Sequence, residues 1–146
     1  MIKLLQENEM KYSEMKSKHR DEFDALPIYF AFNDKQFEEA MTKMGLTVDD
    51  TDKVARIPAG GFCLKTNVKM VLDTFLRHEQ EHAAALIDPE YVYEMFFYEL
   101  NNHEYGYTWD ESDTIRALGL TADEVEQSAI LKAGLVKAKQ NIHSAA

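Results

Sequence analysis

The sequence predicts an α+β fold that is mainly helical, with a small two- or three-stranded antiparallel sheet in a single domain. Apolar residues recur at helical spacing over long stretches, as from Asn67 to Leu86 and from Asp88 to His103. Only residues 27–32 and 53–65 carry the short β-branched and aromatic runs, bounded by Pro or Gly, that mark strands. At 146 residues and 45% apolar composition, the chain can bury one core of ordinary size. The expected organisation is an N-terminal helical or partly ordered arm over residues 1–26 and a single compact domain over 27–146.

Up to about Arg20 the chain is charged, and Ile2, Leu5, Tyr12 and Met15 are loosely spaced for one helical face, which predicts a frayed or partly ordered helix. Pro27–Phe32 predicts a buried or edge strand. Asn33 then caps a helix, with Gln36 placed to reach back and Phe37, Ala40, Met41 and Met44 forming an apolar stripe that stops at Gly45. Lys53–Lys65, two strand-like runs around a Pro/Gly turn, predicts a hairpin to which residues 27–32 add a third strand. Asn67 opens a long helix on which Val71, Phe75, His78, His82 and Ala85 share a face, beside a stripe of Leu72, Leu76, Ala83 and Leu86. Asp88-Pro89-Glu90 is a corner: Asp can cap, and Pro fits the first helical position. The helix that follows, with Tyr91, Val92, Met95, Phe96, Phe97 and Leu100, is apolar on nearly every side and is expected to form the centre of the core, antiparallel to its predecessor. After Gly106 a short helix is expected from about Asp110, and Thr121 with Glu124 predicts a capping box opening the last helix. Met44–Asp50 and Leu118–Glu124 look alike, an echo that a helix, a Gly stop and a Thr cap explain without an internal repeat.

Composition excludes several function classes. The longest apolar stretches, Ala83–Ile87 and Met95–Tyr98, are far shorter than the ~20 residues that cross a bilayer. The acidic, polar continuation of the N-terminus does not read as a secretory signal, and lone Cys63 fits a reducing compartment, so a cytoplasmic location is expected. The net charge of −10 repels a phosphate backbone. Direct nucleic-acid binding is therefore disfavoured, and a protein partner, with a basic one favoured by charge, is expected. One version of such a role is mimicry of DNA charge, which requires a concentrated acidic face.

One motif could carry chemistry. His78-Glu79-Gln80-Glu81-His82 matches H-E-x-x-H in the middle of a predicted helix. Two histidines four apart project from one face and can bind one zinc ion, while Glu79 would act as general base toward zinc-bound water. A third ligand, Glu99 or His103, would come from the next helix if the two pack antiparallel. Against this stands Glu81, a carboxylate where such motifs usually carry an uncharged residue, and the alternative that both histidines are helix residues paired with neighbouring Glu side chains. A second candidate is the segment Tyr98–Trp109. Tyr98, Glu99, Asn102, His103, Tyr105 and Trp109 would form an aromatic-walled binding surface with a few placed polar groups; the alternative is a helix end satisfied by its own Asn and His side chains, with the aromatics in the core and Trp109 as a lid. Gly60-Gly61 lacks the spacing and the Lys-Ser/Thr of a phosphate loop, and Ser13, Ser17, Ser112 and Cys63 have no nucleophile signature around them.

Met95–Tyr105 (Met-Phe-Phe-Tyr-Glu-Leu-Asn-Asn-His-Glu-Tyr), with Phe30–Phe37 and Gly60–Phe62 upstream, resembles a group of small uncharacterised proteins of phages and integrative elements of gut Firmicutes. The resemblance covers about residues 27–125 and implies a cytoplasmic bacterial protein of no established activity; it does not include the H-E-x-x-H segment. That segment, with Glu99 downstream, is similar to the small zinc peptidases of mobile elements, but departs from them at Glu81 and lacks their Glu-Ala-x-x-Phe-Ala pattern. The reading that follows is a non-enzymatic binding or regulatory protein of a mobile genetic element that needs no cofactor. The alternative is a zinc metallohydrolase using His78, His82, Glu79 and Glu99.

Overall fold

The computed structural model describes residues 10–145, so Ile2 and Leu5 lie outside the described residues. In chain order the elements are α1 (Tyr12–Asp24), α2 (Asp34–Lys43), β1 (Val54–Arg56), β2 (Phe62–Leu64), α3 (Val68–Ala85), α4 (Pro89–Asn102), α5 (Tyr105–Thr108), α6 (Ser112–Ala117), α7 (Ala122–Gln127) and α8 (Ala129–Ala145). The chain is thus mainly helical α+β with a two-stranded antiparallel sheet. Its contacts group into two compact units, one of residues up to His19 together with Gln80 onward, the other of Arg20–Glu79.

In the Arg20–Glu79 unit the hairpin pairs Val54 with Leu64, Ala55 with Cys63 and Arg56 with Phe62. The expected third strand reduces to one bridge: Tyr29 and Phe62 exchange both backbone hydrogen bonds at 2.9 Å. Gly61 shows why the approach is so local. A Cβ there would lie 2.8 Å from both the Tyr29 carbonyl oxygen and Ile28 Cγ2, so only glycine lets the chain at residues 28–30 come this close to the hairpin. Alternation along the strands sends Cys63 inward to Ile57 and Val71, against which Leu26, Ile28, Val68 and Phe75 pack. Burial raises the Cys63 thiol above its ordinary range. Helix α2 begins as expected, with Asn33 Oδ1 accepting from Gln36 N at 2.8 Å, but Gln36 reaches one residue beyond the cap, to the Phe32 N–H.

The two look-alike segments fold alike where glycine decides. Gly45 and Gly119 both adopt positive φ, and the residue after each, Leu46 or Leu120, donates back to Met41 or Ile115 in a Schellman closure. They part company at the threonines. Thr121 opens α7 with a full capping box to Glu124, whereas Thr47 only donates to the Asp50 carboxylate in a turn.

The other unit is built around α4 and α8. Asp88 caps α4 and Pro89 occupies its first turn, as the sequence predicts. Tyr91, Val92, Met95, Phe96 and Leu100 face inward, and Leu131, Leu135, Ala138 and Ile142 of α8 meet them. Helix α4 packs along α8, and the last turns of α3 meet it at the corner through His82 and Tyr91. The cause lies at Gly134, where a Cβ would fall 2.6 Å from Val92 Cγ1, so α8 approaches α4 more closely than any side chain would permit. Nor is α4 wholly enclosed, since Phe97 and Tyr98 are exposed. The single last helix expected after Thr121 is two: Ser128 is extended at φ −103°, ψ 116°, and its hydroxyl accepts from Leu131 N to start α8 afresh. At the other end of the chain, Tyr12 and Met15 of α1 are buried in this same core.

Candidate functional site

Two groups of side chains in the α4–α8 unit bring together residues of the kind that binding or chemistry needs. The first is polar and largely internal. Tyr12 of α1 lies edge-on to Tyr91 at 5.6 Å between ring centroids and tilts against Tyr98 at 5.8 Å. Glu99 is only 6% exposed, and its carboxylate accepts from Lys16 Nζ at 3.2 and 3.3 Å, while the Lys16 ammonium also stands 5.0 Å from the Tyr98 ring. A buried carboxylate needs such a partner, because leaving it alone in the interior is costly. Burial first, and then the Glu99 charge, push the Tyr12 hydroxyl far above the ordinary tyrosine range.

His82 closes the group. Its Nδ1 lies 2.6 Å from the Tyr91 hydroxyl, which burial and then Glu94 keep protonated well beyond the ordinary tyrosine value. The hydroxyl therefore donates and neutral His82 accepts. Burial, and behind it the nearby His19, holds the His82 imidazole below the ordinary histidine value. The folded chain thus resists a proton that the unfolded chain accepts at pH ~6.5. The stability linked to His82 is present above that pH and is lost as pH falls through the depressed folded value. We expect the melting temperature to decline between pH 7 and pH 5, and to decline less in His82→Asn, whose amide oxygen can replace Nδ1 as acceptor. Parallel pH profiles for the two proteins would show that His82 is not the titrating group.

The second group is external. Phe97 is 36%, Tyr98 43%, Trp109 65% and Tyr107 92% exposed. Glu94, Phe97, Tyr98, Asn101 and Asn102 line a shallow groove on the outer side of α4. Helix α5, four residues long, is bracketed by Glu104 and Trp109, both non-glycine residues at left-handed φ of 60° and 56°. Such backbone costs about 1–2 kcal/mol per residue unless the surroundings enforce it. Here they do: Trp109 N–H donates to the Tyr105 carbonyl at 2.8 Å, and the indole stacks on His143 at 4.1 Å and 17°. His143 in turn stacks on buried Tyr105 at 5.3 Å.

The residues singled out in the sequence therefore separate. Tyr98 and Asn102 share the groove, Trp109 stands at the outer end of a three-ring stack, and His103 ends α4 with its backbone N–H on the Glu99 carbonyl. Glu99 and Tyr105 are buried. Trp109 lies flat on His143 and keeps most of its surface in water. Sequence reasoning missed Tyr12, Lys16 and His143, which lie far away in the chain in segments that read only as charged helices.

In the H-E-x-x-H segment, His78 Nε2 stands 3.8 Å from the Glu22 carboxylate, which also pairs with Arg77. His82 is taken by Tyr91, Glu81 pairs with Lys18 at 2.7 Å and His19 at 3.3 Å, and Glu79 is exposed. Glu99, the expected third ligand, is engaged by Lys16. Among the described residues no three His, Cys, Asp or Glu side chains gather where they could hold one metal ion. The acidic residues are interleaved with cations, as in Lys69–Asp73, Lys132–Glu126 and Lys139–Glu111, which lends no support to a concentrated acidic face.

Residues 11–141 match the model of a family of unknown function, DUF7659, a span that runs from the start of α1 into the last turns of α8. The chain belongs to that family. Both side-chain groups described above, apart from His143, fall inside the DUF7659 span. No curated protein and no solved structure matches the chain. No helix of the described residues is long and apolar enough to cross a membrane.

Proposed function

We propose that this DUF7659 chain is a non-enzymatic binding protein that engages a protein partner through the surface formed by Tyr98, Asn102, His103 and Trp109, with Glu99 and Tyr105 holding it from beneath. The observation that carries the reading is that Phe97, Tyr98, Tyr107 and Trp109 are left in water, the first two on the same helix that buries Tyr91, Phe96 and Leu100. Aromatic side chains that are held in place yet exposed are characteristic of protein interfaces, because they offer much contact area for little lost freedom. The resemblance of Met95–Tyr105, Phe30–Phe37 and Gly60–Phe62 to mobile-element proteins supports a role in such an element, and the lone buried Cys63 supports a cytoplasmic setting.

The test is site-specific photocrosslinking in cells that naturally carry the protein. A photoreactive residue at Tyr98 or Tyr107 is expected to give a discrete protein adduct, which Trp109→Ala diminishes. The same residue at Gln140, on the outer side of α8, is expected to give none. Adducts of equal yield at all three positions, or at none, would remove the reading.

A further inference from the structure

The three-ring stack says what kind of group the surface receives. Tyr105 is its buried end, His143 its middle and Trp109 its exposed end, so one face of the indole is covered and the other meets solvent. Trp109 is the only tryptophan of the chain, and the indole face is the strongest aromatic attractor of cations. The stretch of sequence around it is acidic. Between Glu104 and Asp113 the chain carries four carboxylates and no Lys or Arg. Lys139 takes Glu111 at 2.8 Å and Arg116 takes Asp113 at 3.3 Å. Among the described residues neither Glu104 nor Asp110 forms an ion pair; one Asp110 oxygen accepts the Ser112 N–H, and hydrogen bonding from Ser112, with the Arg116 charge behind it, holds the carboxyl below its ordinary range.

We propose that the open face of Trp109 receives the guanidinium group of an arginine on a basic partner, with the carboxylate of its chain neighbour Asp110 taking the N–H groups. This rests on the reading of the surface given above. A planar cation fits where others do not. A nucleotide brings a phosphate into the field of a chain with net charge −10, and a neutral sugar draws nothing from that field. A lysine ammonium cannot lie flat on the ring while forking to a carboxylate, whereas guanidinium does both.

The experiment titrates the full chain with octaarginine and, at the same ionic strength, with octalysine, following heat and Trp109 emission. Octaarginine is expected to bind about three- to fivefold more tightly and to change the emission, as one exposed cation–π contact implies. Trp109→Leu is expected to abolish the preference while heat still reports the residual charge attraction. Asp110→Asn, which keeps the fluorophore and the stack, is expected to weaken octaarginine more than octalysine. Equal affinities for the two peptides, no binding of either, or a preference unchanged in Trp109→Leu would each overturn the proposal. Crosslinks from Tyr98 and Tyr107 without any arginine preference would remove the guanidinium site and leave the protein-binding surface standing.

Discussion

Replacing Gly134 with valine is expected to cost about 3 kcal/mol or more of stability, the range of severe overpacking. The new Cβ would sit 2.6 Å from Val92 Cγ1, 3.2 Å from the Tyr93 nitrogen and 3.3 Å from the Val92 carbonyl carbon. Two of those atoms are backbone of α4, and Val92 is fully buried, so neither side can yield without moving a helix. Gly134→Ala sets two effects against each other. Alanine is favoured over glycine inside a helix by about 1 kcal/mol, while the contact penalty is larger, leaving a net loss of about 1–2 kcal/mol. Urea unfolding followed through Trp109 emission measures both. The partner substitution Val92→Ala removes the closest atom, so the double variant Gly134→Ala/Val92→Ala is expected to lose less than the sum of the two single losses. A stabilised Gly134→Ala, or strict additivity, would contradict the close approach of α4 and α8.

Phe96→Ala is expected to cost about 3–5 kcal/mol, and Phe97→Ala, one position along, within about 1 kcal/mol. Phe96 is fully enclosed among the residues of the α4–α8 core, so truncating it leaves a void that packed neighbours fill only in part. Phe97 lies about 100° further round the helix and keeps a third of its surface in water. The pair tests the rotational setting of α4, on which the groove beside Tyr98 depends. Equal losses in the two variants would mean that α4 is rotated from the setting described, and the exposed aromatic surface would lose its foundation.

What could be read from the residues was local. Caps at Asn33, Asp88 and Thr121, stops at Gly45 and Gly119, and the hairpin around Gly60 each follow from a few adjacent residues, and each is present in the structure. What failed depended on distance. Pro27–Phe32 has the composition of a strand, yet only Tyr29 pairs, because pairing is set by how closely the chain passes Gly61 and not by β propensity. The packing of α8 on α4 was not foreseen, because helical periodicity shows which face is apolar without saying which helix covers it. Gly134, the residue that decides, reads in the sequence as an ordinary weak point of a helix. In the candidate site, the aromatic stretch ending at Trp109 was visible. The sorting of its members into exposed and supporting ones was not, because Lys16 and His143 come from the two ends of the described chain.

The order in which these parts leave the ribosome follows from the same layout. Arg20–Glu79 is one continuous segment, so its interior can close while the rest is still being made. The interior that encloses Tyr91 and Phe96 must wait for Leu131–Ile142, although Tyr12 and Met15 of the same core emerge more than a hundred positions earlier. Until those residues emerge, the nascent polypeptide displays sticky, half-finished surface, and this is the interval in which a chaperone has most to offer.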